Sequence, residues 1–388
     1  MKVTLSTWQK FHFFHLARQM EKRGWLQEIF STYPRFALRN EGIPQTKIHP
    51  FSLIETFVLG KNKFGFAAPE FDWRINRLKQ IGFDRYMVSH MAPCDLFIGL
   101  SGSGLVAGRH VQAQGGAYVC ERTSGHVTYV EQLLREEFAH WNVPYVPPPQ
   151  VIIDRECEEY ETADRLVVPS GFVKRTMVAK GIPGDHVIVN PLGVALEQFW
   201  ADPQNDRVAG ELNVVYVGGV SLRKGIPYLL DGFSRLKHPR KRLTLVGVIA
   251  PEITQVLERF PQQDVVFHGK AGRDEVRRLL NGADVLILPS VEDGFGLVIT
   301  EAMACGCAVI ASENTGGPDV IDDGVEGFII PIRDPGAIAD RLQRLADEPD
   351  LLASMGKAAQ QRVRSVGGWD AYGDTYEHLA RSLTSDRR

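Results

Sequence analysis

Hydrophobic and polar positions alternate in blocks through the second half of the chain. Short runs of β-branched and apolar residues predict six strands, separated by amphipathic segments of helix length; the runs are NVVYVGG (213–219), RLTLVGV (242–248), DVVFHG (264–269), VLILPS (285–290), AVIAS (308–312) and GFIIPI (327–332). Each run is continuously apolar, which is typical of parallel strands covered by helices on both faces. The pattern predicts a doubly wound α/β domain over about 192–365.

The first half follows the same pattern less regularly. Its strand candidates are VTLST (3–7), DLFIGLSG (95–102), AYVCER (117–122) and RLVVPS (165–170), and its clearest helices cover 11–24 and 171–181. Ser170 and Gly181 suit the two caps of the second of these helices. Residues 41–93 are aromatic-rich and stay unassigned. Two successive doubly wound domains place a cleft between the carboxyl ends of their sheets.

Composition narrows the class of protein. A chain of 388 residues is long enough for two or three domains, and 44 Lys+Arg against 47 Asp+Glu give a net charge of −3. This balance argues against a dedicated nucleic-acid-binding protein. No run reaches the roughly 18 apolar residues of a membrane span, and the start lacks the apolar core of a secretory signal.

Five scattered cysteines suit a reducing cytoplasm. Cys305 and Cys307 have no second Cys or His pair at metal-ligand spacing, so no metal site is predicted. We expect a cytoplasmic protein.

The segment PSVEDGFGLVITEAMACG (289–306) has the richest chemistry. Gly294 and Gly296 let a ligand approach the backbone around Phe295, and the N–H groups of Gly296, Leu297 and Val298 at a helix start suit a phosphate. Asp293 and Glu301 flank this point, one on the loop and one on the helix. Carboxylates repel a diphosphate, so hydroxyl groups are their expected partners. The structural alternative is a capping aspartate with a solvated glutamate.

This segment resembles the E-x7-E signature of the family-4 glycosyltransferases, which are retaining enzymes of GT-B fold. Further segments resemble the same family in the same order: GGVSLRKGIPYLLDGF (218–233), ASENTGGPDVIDDGVEGFIIP (311–331), the interdomain stretch at 159–199 and WDAYGDTYEHLARSL (369–383). The resemblance is strong from 159 to 383 and weak before it. It implies three parts: an acceptor-side Rossmann-like domain (1–190), a donor-side one (191–366), and a terminal helix (367–388) that crosses back to the first.

The resemblance also implies roles for residues of the second half. Glu301 corresponds to the carboxylate that holds the ribose of the nucleotide, and Asp293 stands where a glutamate usually contacts the donor sugar. Lys224 and Arg223 match the cations of the diphosphate loop. Gly219 departs from the family, because many members carry an arginine at this position. We expect either Arg223 to supply the missing positive charge or the Gly219 N–H to bond the phosphate directly. The weaker candidates for contact with the base are Lys270 and Ala271.

The first half is expected to hold the acceptor and a polar group near the reacting carbon. Arg122 and His126, in CERTSGH (120–126), are the candidates; the structural alternatives are a structural histidine and an ion pair between Glu121 and Arg122. The Ser-Gly turn at 101–104 could approach a ligand. The first helix carries basic residues on one side, next to several phenylalanines. This pattern suits either peripheral contact with an anionic inner membrane or packing against the rest of the protein. The residues are Phe11, His12, Phe13, Phe14, His15, Arg18, Lys22 and Arg23.

These features lead to one expectation and two alternatives. We expect a retaining hexosyltransferase that uses a UDP- or GDP-sugar as co-substrate, needs no other cofactor and no metal, and acts on a hydroxyl of a glycan or a lipid-linked acceptor in polysaccharide biosynthesis. A sugar-nucleotide epimerase on the same fold is one alternative, and it would act without an acceptor. A non-catalytic sugar-nucleotide-binding subunit is the other.

Overall fold

The computed structural model describes residues 1–8, 12–51, 69–203, 207–208 and 210–385. They build two wholly parallel sheets, one from each half of the chain, with helices packed around them. Phe11, one of the basic-helix candidates, lies outside the described residues.

The first sheet has seven strands in the order β3-β2-β1-β4-β5-β6-β7. The strands are β1 (Val3–Thr7), β2 (Leu26–Ser31), β3 (Ile48–Pro50), β4 (Leu96–Leu100), β5 (Ala117–Glu121), β6 (Arg165–Val168) and β7 (Val187–Val189). The helices of this half are α1 (Phe13–Lys22), α2 (Pro69–His90), α3 (Leu105–Ala113), α4 (Val127–His140), α5 (Gln150–Thr162) and α6 (Gly171–Ala179), with short 3-10 turns at Arg35–Leu38 and Gln45–Lys47.

The second sheet has six strands in the order β10-β9-β8-β11-β12-β13. They are β8 (Leu212–Val217), β9 (Lys241–Val246), β10 (Val265–Gly269), β11 (Val285–Leu288), β12 (Ala308–Ser312) and β13 (Gly327–Ile330). Around them lie α7 (Ile226–Arg235), α8 (Thr254–Leu257), α9 (Arg273–Asn281), α10 (Val298–Ala304), α11 (Gly317–Val320), α12 (Pro335–Asp347) and α13 (Pro349–Val366), with a 3-10 turn at Pro251–Ile253. All six predicted strands are present, and the predicted doubly wound order is confirmed.

Burial explains why strands of the second half could be predicted from the sequence. Every residue of β11 and β12 is buried, because helices cover both faces of the sheet, and each such side chain contributes roughly 1.5–3 kcal/mol of hydrophobic stabilisation. Both strands end at the edge that faces the first domain, where Gly294 meets Thr123 and Ser170. The loops that follow β8 and β11 are therefore held at the cleft.

The terminal helix α14 (Trp369–Ser385) packs on α1 of the first domain, as expected. Lys22 and Gln19 of α1 each donate to Asp370 at 2.8 Å, and Arg23 donates to Glu377 at 2.9 Å. Beneath these contacts, Tyr372 and Tyr376 donate to the buried carboxylate of Glu121, with Tyr372 at 2.8 and 2.9 Å from its two oxygens. The boundaries at 190/191 and 366/367 stay predictions; the last strand of the first sheet ends at Val189 and the first strand of the second begins at Leu212.

Several local expectations for the first half are corrected. The first helix covers Phe13–Lys22 rather than 11–24, and its Phe13 and Phe14 are buried in the core. Its basic side chains Lys22 and Arg23 pair with acidic residues of α14, so packing accounts for these two. Peripheral contact with a membrane stays a prediction. The ion pair between Glu121 and Arg122 is not formed, because Glu121 bonds the tyrosines and His12 while Arg122 pairs with Glu156.

Two segments differ from their sequence patterns for tertiary reasons. One of the amphipathic segments of helix length in the second half, ITQVLERF (253–260), forms an α-helix only over the single turn Thr254–Leu257. The unassigned stretch 41–93 contains β3, at the edge of the first sheet, and the long helix α2. An edge strand of three residues has too short a pattern to be recognised without its neighbour.

Candidate active site

A small cavity lies where the loop after β11 meets the loop after β5 of the other domain. Its volume is about 220 Å³. Five of its lining residues were predicted from the sequence: Asp293, Phe295, Gly296, Leu297 and Val298. The other three, Thr123, Leu192 and Val217, were not predicted. Thr123 was missed, although its position just past the end of β5 could have indicated it. The predicted loop is therefore at the cleft and faces the first domain.

Two glycines allow the backbone to take this course. Gly296 has a φ of +78°, a left-handed conformation that residues with a side chain rarely adopt. At Gly294, a Cβ would lie 1.7 Å from the carbonyl oxygen of Thr123, so only glycine fits between the two domains. The helix α10 that follows has seven residues, which limits the charge effect of its dipole, so side-chain cations must supply most of the attraction for a phosphate.

Those cations come from the loop after β8 and are paired with carboxylates of the loop after β11. Arg223 Nη1 donates to Glu292 Oε2 at 2.8 Å, and Lys224 Nζ donates to Asp293. The amides of Val291 and Glu292 in turn donate to the carbonyl of Arg223, at 3.0 and 3.3 Å. Burial by itself would raise the pKa of Asp293, but Lys224 and then Arg223 hold that pKa below its ordinary value. Asp293 is thus ionised next to the cations predicted for a diphosphate.

A larger cavity of about 830 Å³ opens on the other side of Leu297, which lines both. Its walls come from α1, the linker between the domains, the start of α14 and Arg273. Its volume is within the usual range for small-ligand sites. Arg273 was not predicted, but it follows the predicted base contacts Lys270, which is exposed, and Ala271, which is half-buried.

Glu301 lies one helical turn after Leu297, on the same side of α10. Burial raises its pKa to about 7, although the positive charge of Arg273 acts in the opposite direction. The carboxyl group is therefore about half-protonated near neutral pH. Hydroxyl groups that donate hydrogen bonds to it would stabilise its ionised form and lower its pKa.

The position of Gly219 has room for a ligand. A Cβ placed on Gly219 would meet no atom within 4 Å, and its carbonyl accepts a hydrogen bond from the buried Tyr216 hydroxyl at 2.8 Å. The absence of the family arginine therefore leaves open space at Gly219, and the binding of a diphosphate by this loop stays a prediction.

Arg122 and His126 lie on the first-domain side of the cleft, and both bond other residues of that domain. His126 is the N-cap of α4: its Nδ1 accepts from the amide of Thr128 at 3.3 Å. Burial, followed by the charges of Arg122 and Lys180, lowers the pKa of His126 to about 4. Arg122 pairs with Glu156 and donates from Nε to the carbonyls of Ser124 and Gly125, at 3.2 and 3.1 Å. Both residues shape the 122–126 loop, and Thr123 is the member of this loop that lines the small cavity.

The Ser-Gly turn at 101–104 is already filled by a carboxylate of the protein. Glu159 is completely buried and accepts from the amides of Gly104 and Leu105, at 2.9 and 3.0 Å, and from that of Gly102. Burial raises the pKa of Glu159 to about 7, against the effect of these amides and of Arg155. These three amides are therefore occupied by the protein itself, and the approach of a ligand to this turn stays a prediction.

Neither a metal cluster nor a membrane-spanning helix is found in the part of the chain that the structure describes. No three His, Cys, Asp or Glu side chains of these residues converge as metal ligands would, and none of these helices is long and apolar enough to cross a bilayer. Whether catalysis needs a metal stays a prediction.

Comparison with known proteins identifies the second domain. Residues 200–362, which hold β8 to β13 and the paired cations, match the family model "Glycosyl transferases group 1". This domain is a group 1 glycosyl transferase domain. The match confirms the family resemblance seen in the motifs at 218–233, 289–306 and 311–331.

Curated relatives support the same family over a longer stretch. The chain is 38% identical over 278 residues to a D-inositol 3-phosphate glycosyltransferase of Streptomyces griseus, which covers 62% of this chain and 58% of the relative. It is 29% identical over 235 residues to a lipopolysaccharide 1,2-N-acetylglucosaminetransferase of Salmonella typhimurium, covering 55% and 61%. The chain thus spans somewhat more than half the length of the curated relatives it matches.

Solved structures show that the GT-B fold extends over the whole chain. A sucrose-phosphate synthase from Thermosynechococcus elongatus superimposes with a TM-score of 0.77 at 21% identity, covering 100% of both chains. Anabaena HepE in complex with UDP gives 0.73 at 15% identity, covering 98% of this chain and 100% of that one. At these identities the comparison shows the fold alone.

Proposed function

We propose that the protein is a retaining glycosyltransferase that moves a hexose from a UDP- or GDP-sugar to a hydroxyl of a glycan or lipid-linked acceptor. The observation that carries the proposal is the pairing of Lys224 with Asp293 and of Arg223 with Glu292 beside the small cavity that Asp293 and Gly296 line. Relatives named as glycosyltransferases and a structural neighbour that holds UDP support this choice.

The two cavities suit the two ends of a nucleotide sugar. The sugar and diphosphate fit the small cavity between Thr123 and Asp293, and the nucleoside extends past Leu297 toward Arg273 and Glu301. In this arrangement Lys224 exchanges Asp293 for the diphosphate, and the released Asp293 carboxylate accepts from sugar hydroxyls. Charge-assisted hydrogen bonds of this kind are about twice as strong as neutral ones.

The chemistry that follows is stabilisation of a leaving group. As the bond between the sugar and the diphosphate breaks, negative charge grows on the phosphate, and in this proposal Lys224 and Arg223 supply the positive charge that stabilises it. Closure of the domains around the small cavity excludes water that would otherwise hydrolyse the donor. We propose that the acceptor attacks on the face from which the diphosphate leaves, and that the departing phosphate takes the acceptor proton.

Thermal melting with UDP, GDP, ADP and CMP, with metal chelated, tests the donor site. A ligand at 100 times its dissociation constant stabilises the folded state by about 2.7 kcal/mol, so the preferred base gives a selective rise in melting temperature. No shift with any of the four nucleotides contradicts the proposal. With a turnover substrate, NMR of the product tests the anomeric outcome, and an inverted anomer excludes the retaining mechanism.

An acceptor-free assay separates the alternatives. A glycosyltransferase leaves most of the donor sugar unchanged until an acceptor is added, whereas an epimerase changes the sugar without one. Variant Lys224→Ala, which removes a proposed diphosphate contact, should lose the nucleotide-dependent rise in melting temperature.

A further inference from the structure

Glu292 is a carboxylate with no exposed surface at the contact between the two domains. It bonds three donors: Arg223 Nη1 at 2.8 Å from its own domain, and Ser124 Oγ at 2.8 Å and the Gly125 amide at 3.3 Å from the other domain. Burying an ionised carboxylate is costly unless hydrogen bonds and a counter-charge compensate it. Its partners therefore determine which domain arrangements are stable.

The donors on the first domain are held in place by contacts within their own domain. Arg122 donates to the carbonyls of Ser124 and Gly125, and its own partner is Glu156. The 124–125 loop therefore presents a hydroxyl and an amide at a set position. Opening the domains removes both of these donors from Glu292. Of its three hydrogen-bond donors, Arg223 then remains, and it carries the positive charge.

This arrangement links Arg223 to domain closure. In an open form the donors of the first domain are separated from Glu292, and Arg223 is the cation that the structure shows bonded to this carboxylate. In the closed form Ser124 and Gly125 stabilise the carboxylate, so Arg223, whose side chain is 41% exposed, is able to turn to an anion in the cleft. An anion that binds Arg223 therefore favours the closed form, since a ligand shifts an equilibrium toward the state it binds better.

We infer that Glu292 is a positioning residue that couples occupation of the diphosphate loop to closure of the two domains. Glu292 acts through Arg223 and the 124–125 loop, and it does not itself contact the donor. The inference rests on the proposed function, because it takes the diphosphate of a nucleotide sugar as the anion.

A reporter of closure that does not involve Glu292 is available. The amide of Gly171 in the first domain donates to both carboxylate oxygens of Asp319 in the second, at 2.9 and 3.1 Å. Hydrogen–deuterium exchange of the peptide that contains Gly171 therefore reports how often the domains separate. We expect UDP to slow this exchange in the wild-type protein by about tenfold.

Variants Glu292→Gln and Ser124→Ala test the coupling. A neutral glutamine needs no counter-charge, so Glu292→Gln should bind UDP within about threefold of wild type but lose the UDP-dependent protection at Gly171. Ser124→Ala should reduce that protection in the same direction, because it removes one of the two donors from the first domain. The matched control is Glu326→Gln, a buried carboxylate that accepts from Asp322 within the second domain, and it should keep the full protection.

The outcomes separate this inference from the proposed function. If wild type binds none of UDP, GDP or ADP, the proposed function fails, and the coupling to a diphosphate fails with it. Glu292→Ala in the absence of nucleotide tests the interdomain contact separately: unchanged Gly171 exchange overturns the contact and therefore the inference, and faster exchange supports the contact alone. If wild type binds UDP and Glu292→Gln retains its protection at Gly171, the inference is wrong while the proposed function stands. If Glu326→Gln loses the protection as well, Glu292 has no specific role and the inference is wrong.

Discussion

Gly294→Ala is a direct test of the contact between the two domains. The added methyl group would lie 1.7 Å from the carbonyl oxygen of Thr123 and 3.2 Å from the Cα of Ser124, whereas ordinary contacts of a Cβ begin at about 3.4 Å. The two loops must therefore move apart by about 1.7 Å, the difference between 3.4 and 1.7 Å. Because backbone lies on both sides of the contact, a change of rotamer cannot relieve the overlap.

That displacement breaks hydrogen bonds of known length. The Ser124–Glu292 bond of 2.8 Å and the Ser170–Gly294 bond of 2.6 Å both join the domains at this point. Leaving a buried polar group without its partner costs about 1–3 kcal/mol, so we expect the closed form to lose stability by that amount. Exchange at Gly171 should then rise by at least about fivefold, because 1 kcal/mol corresponds to roughly that factor.

The assay is hydrogen–deuterium exchange of the Gly171 peptide, together with thermal melting with and without UDP. The control is Gly184→Ala in the first domain, where the new Cβ would make only an ordinary contact of 3.7 Å with Val178. If Gly294→Ala exchanges and melts like this control, the loops at Gly294 and Thr123 are not in contact in solution, and the closed arrangement is refuted.

Three further predictions concern charge. Because the pKa of Glu301 is about 7, the affinity for UDP-glucose should fall about tenfold from pH 8 to pH 6 as the carboxylate is protonated. Measured by calorimetry, the affinity of Glu301→Gln should not change over this pH range. A wild-type affinity that does not change with pH contradicts the role given to Glu301. Lys224→Ala should weaken UDP binding at least about tenfold, with unchanged affinity as the contrary result. Glu137→Gln should lower the unfolding free energy by about 1–3 kcal/mol, because this buried carboxylate accepts from Tyr228 at 2.9 Å and Arg333 at 2.6 Å across the domains; an unchanged melting curve contradicts it.

The pH dependence of folding has the opposite sign from that of binding. The pKa of Glu301 is higher in the folded protein, about 7, than its ordinary value of 4.5. Its contribution to stability is therefore fully present below pH 4.5 and is lost as the pH rises through 7, because the folded state binds the proton more tightly. Under the proposed function, donor binding needs the ionised form. Without ligand, the wild-type protein should gain stability relative to Glu301→Gln as the pH falls from 8 to 6.

Several parts of the site were predictable because their signals are local. Asp293, Gly296 and Glu301 lie within one loop and the first turn of one helix, so their spacing alone places them together. The inner strands β11 and β12 of the second domain were predictable for a similar reason: strands that are buried on both faces have continuous apolar runs. In the first domain the same rule predicted β1, β4, β5 and β6 but missed β2, β3 and β7; β3 and β7 are three-residue strands at the two edges of the sheet.

Other parts depend on partners that are distant along the chain. Arg122 and His126 are charged or titratable residues at a strand end, and their pattern suits catalysis as well as structure. What distinguishes the two roles is contact with Glu156 and Thr128, which spacing does not reveal. The turn at 101–104 is a similar case, because the carboxylate that fills it comes from Glu159, more than 50 residues later.

The sequence by itself determined the fold class, the strands of the second sheet and the family of the cleft loop, because backbone conformation and hydrophobic burial follow from neighbouring residues. Only the tertiary structure decided the charge pairs. Lys224 and Asp293 are 69 positions apart, and Ser124 and Glu292 are 168 apart, yet each pair meets at the cleft. A buried charge is stable only beside its partner, and which partner it finds depends on how the two domains pack together.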